Sequence, residues 1–266
     1  MRNPPARADR ANGSVRSVGK ALAIVRALST AGQGLALSDL AQRLEMNEST
    51  AHHLLATLRV AGFVEQDGQT RAYRLGYGLV GLVIRFLAGT DLYSAGIGPV
   101  RQLRDLTGET AYLTVVSGRD MVAVVEIVGW KPIQARRTHF PGEPALHSTA
   151  SGKVYLAYLP PQRLDPVLSS SRLTKFMPNT IADADALRAE LSAIRRQGYA
   201  LDREENVAGV MCVAAPVFGA HGEQVATASV AFPRAGDERV AELIPPVVAA
   251  AAQVSRNLGY AMVGSR

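Results

Sequence analysis

The forty residues from Leu37 to Gly76 constrain the fold more than any other stretch, because apolar spacing switches there from a helical to a strand period. Leu40, Ala41 and Leu44 form one face of a short helix over Asp39–Glu45, with Ser38 placed to cap it. Met46-Asn47-Glu48 makes a tight connection. Ser49 is the expected cap of a further helix running to Ala61, with Ala51, Leu54, Leu55 and Leu58 as its buried stripe. Gly62 stops that helix. Two short strands follow, Phe63–Gln66 and Ala72–Leu75, joined by the polar turn Asp67-Gly68-Gln69-Thr70. Upstream, Leu22, Val25 and Leu28 mark a first helix from Ser17 that ends at Gly32–Gly34. Three helices closed by a hairpin describe a winged helix-turn-helix.

If the stripe of the third helix faces inward, Thr50, His53 and Thr57 share its outward face. A recognition helix offers its N-terminal residues to base edges, which suits the hydroxyls of Ser49 and Thr50 and the imidazoles of His52 and His53. Arg43 before that helix, and Arg71 and Arg74 on the wing, can neutralise phosphates. The ordinary alternative makes Ser49 only a cap and the arginines solvated surface. Charge distribution favours DNA: the first 90 residues hold eleven Lys/Arg against six Asp/Glu, and the remainder eighteen against seventeen. Residues 1–15, with Arg2, Arg7 and Arg10, read as a disordered basic tail that either solubilises the chain or touches DNA.

Gly76–Thr90 reads as a connecting helix apolar on most sides, hence a partner surface. Its apolar run is too short to span a bilayer and contains Arg85. A second region starts near Asp91 with a helix ending at Thr107-Gly108. Strands are expected at Thr110–Ser117 and Met121–Val128 about the turn Gly118-Arg119-Asp120, and at Ile133–Arg137. Helices follow from Ser148–Ser151 and over Ala184–Gln197. A hairpin joins Met211–Phe218 to Gln224–Phe232 through Ala220-His221-Gly222, and a last helix covers Asp237–Leu258. This order predicts an antiparallel α+β sandwich.

Ser148-Thr149-Ala150-Ser151-Gly152 places small side chains on a helix start, where free amides and the dipole can seat a carboxylate. The same residues also suit close packing. Asp202, before an acidic loop, and Cys212, opening an apolar strand, read most simply as a solvated acid and a small core residue. A single cysteine excludes an internal disulfide, and no HxH, HExxH or CxxC spacing occurs, so neither a metal nor another cofactor is expected. A thiol enzyme using Cys212 with Asp202 and His147 or His221 lacks a nucleophile elbow. Ser151-Gly152-Lys153 is not a P-loop either, since His147 stands where the first glycine would be.

The stretch from Leu37 through Gly76 resembles the DNA-binding domain of the isocitrate lyase regulator (IclR) family of bacterial transcriptional regulators. The likeness continues through TGETAYL, LHSTASGKVYLAYLP, LRAELSAIRRQGYALDREENVAGVMCVAAPVF and the closing SRNLG, covering about residues 16–260 in order. The family usually has His-Arg where this chain has His52-His53, so one fixed positive charge is missing from the recognition helix. The resemblance implies an effector cavity to which Ile133, Arg136, Ala150, Ser151, Asp202, Val210, Cys212 and Ser229 correspond, with Ala231 where a second serine is common. Family effectors are short oxo acids, aromatic acids and related catabolites. Arg136 and the helix amides favour an anion, and Ile133, Val210 and Ala231 supply apolar wall, which points to an aromatic or medium-sized acid such as a hydroxybenzoate.

The expectation is an N-terminal winged helix-turn-helix over 16–76, a linker helix over 77–92, and a C-terminal α+β (GAF-like) effector-binding and oligomerisation domain with an antiparallel sheet over 93–262. The partners are operator DNA, a small carboxylate effector and further copies of the chain in a homodimer or tetramer, with no membrane and a cytoplasmic location. An architectural DNA binder without a ligand is the alternative.

Overall fold

The computed structural model describes residues 15–88, 91–118, 120–135, 146–170 and 173–261. The chain divides into two compact units between Gly89 and Thr90. Most of the basic tail, Arg119, and Arg136 with the end of the expected strand Ile133–Arg137 lie outside the described residues.

The first unit contains α1 (Arg16–Ser29), α2 (Leu37–Arg43), α3 (Glu48–Val60), β1 (Val64–Gln66), β2 (Tyr73–Leu75) and α4 (Gly78–Ala88). Ile24, Leu28, Leu40, Leu55, Leu58, Val64 and Tyr73 form its core. The inward stripe of α1 is Ile24, Ala27 and Leu28, whereas Leu22 is 57% exposed. Helix α2 begins at Leu37 after Ala36, without a side-chain cap, so Ser38 lies inside it. Asn47, not Ser49, caps α3: its backbone is extended, and its Oδ1 accepts from the Thr50 amide at 2.8 Å.

The wing pairs Val64 with Leu75 and Gln66 with Tyr73, and an isolated bridge ties Leu35 to Tyr73. Its tip is tied by Asp67 Oδ1, which accepts from the Gln69 and Thr70 amides and the Thr70 hydroxyl. These bonds, the Thr70 amide first, hold the Asp67 carboxyl below its ordinary pKa. A side chain at Gly76 would sit 2.4 Å from the Gly62 carbonyl oxygen, so the wing leaves β2 only through glycine.

The second unit contains α5 (Asp91–Thr107), β3 (Thr110–Ser117), β4 (Asp120–Ile127), α6 (Ala150–Tyr158), α7 (Pro161–Ser170), α8 (Ala184–Gln197), β5 (Ala200–Arg203), β6 (Val210–Phe218), β7 (Gln224–Pro233) and α9 (Asp237–Asn257). Its sheet is antiparallel throughout, in the order β4-β3-β7-β6-β5. Strand alternation splits the buried residues into two layers. Ala111, Leu113, Val213, Val230 and Phe232 meet Val100 and Leu103 of α5 and Leu243, Val247 and Val254 of α9. Ala200 and Ala214 meet Ala150, Val154 and Leu156 of α6, with Leu164 and Leu168 of α7 and Leu187 and Ile194 of α8 behind them.

Three features depart from the sequence reading. Pro161–Ser170 is a helix, and Ala200–Arg203 is an edge strand carrying Asp202. Residues 131–135 form bends and irregular chain instead of a strand.

Candidate functional site

On the first unit, Ser49, His52, His53 and Thr57 are exposed and Thr50 is half-buried, while Ala51, Leu55 and Leu58 point into the core. The outward face of α3 therefore carries the expected polar row. The Thr57 hydroxyl donates to the His53 carbonyl at 3.1 Å. Arg43, Arg71 and Arg74 are all exposed. Arg43 Nη2 reaches the Thr30 hydroxyl at 3.3 Å, and Arg74 lies 3.6 Å from Glu65. Such exposed contacts are weak and give way readily to a phosphate. Arg71 adopts the left-handed conformation at φ 61°, and its carbonyl accepts from Gln66 Nε2, which ties wing to strand.

On the second unit, strand register decides which residues share a face, because directly paired residues point the same way. Asp202 pairs with Cys212 and Cys212 with Ala231; Thr110 also pairs with Ala231. Two residues along, Ala214 and Tyr112 both pair with Ser229. Asp202, Val210, Cys212, Ser229, Ala231, Thr110 and Tyr112 thus lie on one face, the face that α6 covers. Tyr112, Ala135 and Ala231 form a buried cluster with Val210 and Cys212 against it.

The helix start lies above this layer. A short 3-10 turn, Leu146–Ser148, leads to Thr149, whose hydroxyl caps α6 by accepting from the Gly152 amide at 3.1 Å. Ala150 and Ser151 are buried on the first turn. A Cβ at Gly152 would lie 2.2 Å from the Leu146 carbonyl oxygen, so glycine lets the turn fold back onto the helix. The close-packing reading of this small-residue segment therefore holds, with Thr149 as the cap of α6.

Asp202 is not the solvated acid that its neighbours suggested. It is 5% exposed, and its Oδ1 accepts from the Glu205 amide at 2.7 Å. Burial, and then repulsion from Glu205, push its carboxyl up to about 7. Beside it lies an ion cluster that the sequence reading missed. Lys153 Nζ, 1% exposed, donates to Glu205 Oε1 at 2.6 Å and to Glu190 Oε1 at 3.1 Å. Asn206 Nδ2 donates to the Ser148 hydroxyl, and the Thr180 hydroxyl to the Glu205 carbonyl oxygen. The loop after β5 is thereby fastened to α6 and α8. His147, stacked on Phe176 and bonded through Nε2 to the Thr174 carbonyl, has its pKa lowered by burial.

Two predicted residues stand apart. Ile133 is 73% exposed and lines a separate cleft with Glu109, Lys131, Phe232, Arg234 and Arg239; Ala135 occupies the layer instead. Arg136 lies outside the described residues. Thr110 and Tyr112 were detectable in principle, since a period of two along β3 sets them on the face opposite Ala111 and Leu113. Lys153 carried no local signal, because its partners come from segments 37 and 52 residues away.

The family model of the IclR helix-turn-helix domain matches residues 17–68, and that of the bacterial transcriptional regulator IclR C-terminal domain matches residues 84–256. The transcriptional regulator BhcR of Paracoccus denitrificans is 36% identical over 248 residues, 92% of this chain and 88% of its own length. XynR of Escherichia coli is 33% identical over 248 residues, 92% and 98% of the two chains. The crystal structure of Thermotoga maritima IclR superposes with a TM-score of 0.73 at 30% identity, covering 92% of this chain and 99% of that one. Matched in order by both domains and by full-length relatives, the chain belongs to the IclR family of bacterial transcriptional regulators.

Proposed function

We propose that the chain binds operator DNA through α3 and the wing, and that a small carboxylic acid bound between α6 and the β5-β6-β7-β3 face controls that binding. Membership of a family of regulators sets aside the thiol-enzyme reading of Cys212. The observation that carries the proposal is the row of buried polar side chains Asp202, Ser229 and Thr110 on the sheet face that α6 packs against. Polar groups are rare in an apolar layer, and although the Glu205 amide donates to Asp202 and the Gly129 amide to Thr110, a carboxyl and a hydroxyl keep further hydrogen-bonding capacity for a ligand.

In this reading the Ala150 and Ser151 amides seat the carboxylate, helped by Ser229; nothing in the reading draws on Arg136, which lies outside the described residues. Val210, Cys212, Ala231 and Tyr112 form the apolar wall, from which Ile133 is removed by its exposure. A hydroxybenzoate or similar acid fits a seat of this kind with a polar far end at Asp202. An IclR homologue from Microbacterium hydrocarbonoxydans is complexed with 4-hydroxybenzoate. It superposes with a TM-score of 0.77 over 91% of this chain and 98% of that one, but at 21% identity the likeness is one of fold. Self-association is part of the proposal, supported by exposed Tyr77 just ahead of α4 and exposed Val80 and Val83 within it. No helix among the described residues is long and apolar enough to cross a membrane.

A thermal-shift screen of hydroxybenzoates, oxo acids and their amides tests the effector site. The right acid at a hundred times its Kd stabilises the fold by about 2.7 kcal/mol. Equal stabilisation by amides, or an unchanged response in Ser151→Trp, refutes the seat. In gel shifts with DNA from its own upstream region, deletion of residues 1–76 should abolish binding; a retained shift refutes the DNA site. Light scattering at micromolar concentration tests association, and a monomer refutes it.

A further inference from the structure

Among the described residues, the proposed effector layer contains more negative charge than buried Lys153 can balance. Facing Asp202 are Glu205 from its own loop, the Glu205 and Asn206 amides that donate to it, Lys153 from α6, Glu190 from α8 across Lys153, and Cys212 from β6; His147, just ahead of α6, lies on the Lys153 side. Lys153 is already engaged by Glu205 and Glu190. Glu205 Oε2 is buried with no partner, so this carboxylate too is under-compensated. Among the described residues no cation stands within ion-pair distance of Asp202; Arg203 pairs outward with Asp237 and Arg234 with Glu204. Among the described residues, two buried carboxylates, a half-buried third and one ammonium leave excess negative charge, which favours a proton on one of the buried acids. The anion of a bound acid would deepen that imbalance.

We infer that Asp202 stands in the effector layer as a neutral carboxylic acid, donating its proton in a hydrogen bond to a second oxygen of a monoanionic effector. This rests on the effector reading above and assigns Asp202 the part of a donor. The favoured ligand class is a monocarboxylate with an oxo or hydroxyl oxygen able to accept. Above the midpoint of Asp202, binding must take one proton from solvent, and affinity falls about tenfold for each further pH unit.

The test begins without ligand. In the full chain labelled with 13C at the aspartate carboxyl, the resonance missing from Asp202→Asn should titrate near 7, in line with the upward shift that burial imposes. A midpoint below about 5, in the range of ordinary carboxylates, overturns the inference. Calorimetry with 4-hydroxybenzoate and pyruvate at pH 8, in two buffers of different ionisation enthalpy, should then show about one proton taken up per acid bound. This measurement uses the wild-type chain and does not depend on the variant folding. Asp202→Asn keeps a permanent donor, so its affinity should stay flat between pH 6 and pH 9. Acid binding in the wild-type chain without proton uptake, or its loss in a folded Asp202→Asn at every pH, overturns the inference. If neither acid binds, or Ser151→Trp leaves binding intact, the effector reading fails, while the ligand-free titration still decides the state of Asp202.

Discussion

Lys153 Nζ stands 2.6 Å from Glu205 Oε1, and the two side chains are 1% and 7% exposed. Removing one member strands a buried charge, which costs about 3–5 kcal/mol. Lys153→Met should therefore lower stability by that order. Adding Glu205→Gln should recover part of the loss, because the stranded carboxylate disappears. Denaturant unfolding of the two single variants and the double variant checks this; additive losses would mean the residues are uncoupled. Glu190, with its side chain 32% exposed, should matter far less.

Helix α3 provides a second check. Asn47→Ala should cost about 1 kcal/mol because the Thr50 amide loses its partner. Ser49→Ala should leave stability almost unchanged. Equal losses on thermal unfolding would return the cap to Ser49.

Two glycines should respond oppositely to alanine. Gly152→Ala drives a methyl into the Leu146 carbonyl and should destabilise by about 1–3 kcal/mol. Gly98, within α5, has nothing within 4 Å of the added carbon, so Gly98→Ala should stabilise by about 0.5–1 kcal/mol. Chemical unfolding of both variants measures the contrast.

Stability should depend on pH through Asp202. Its folded pKa, about 7, lies above the ordinary aspartate value of 3.8. The folded state therefore binds the extra proton, and stability falls as pH rises between those values. His147 acts oppositely: its folded pKa is lowered, so its contribution is lost as pH falls below its ordinary range. The difference in melting temperature between wild type and Asp202→Asn removes the histidine term. It should shift in favour of the variant as pH rises from 5 to 8, and a constant difference would refute the assignment.

His53→Arg restores a fixed charge on the exposed face of α3. DNA affinity should rise and the slope of log K against log salt should steepen by about one. Gel shifts at several salt concentrations measure both; an unchanged slope would place residue 53 away from the phosphates.

The sequence disclosed elements whose signals are local. Helix α8 runs over Ala184–Gln197 as its amphipathic spacing predicts, with Asp183 and Gly198 as caps, and β3 runs over Thr110–Ser117 as its apolar run predicts. The elements that escaped depend on distant partners. Strand β5 is four residues ending in a charged loop, and it exists because β6 pairs with it. The burial of Asp202 follows from α6 and Glu205 closing over it, and Lys153 is tolerable only with Glu190 and Glu205 beside it. Within α1, three-residue spacing selected Leu22, but the packing that α3 offers selects Ile24. Of the residues proposed for the effector site, the resemblance supplied Asp202, Cys212 and Ser229, and register sets them on one face.

That alternation has an evolutionary consequence. Thr110, Tyr112, Cys212, Ser229 and Ala231 look toward α6, while the residues between them, Ala111, Leu113, Val213 and Val230, are locked against α5 and α9. With the proposed effector bound on that face, exchanges at the first set retune chemical selectivity without disturbing the scaffold that the second set maintains. A lineage built on this sheet can acquire new signals by drift at every other position, and an engineer seeking a biosensor can randomise those same positions.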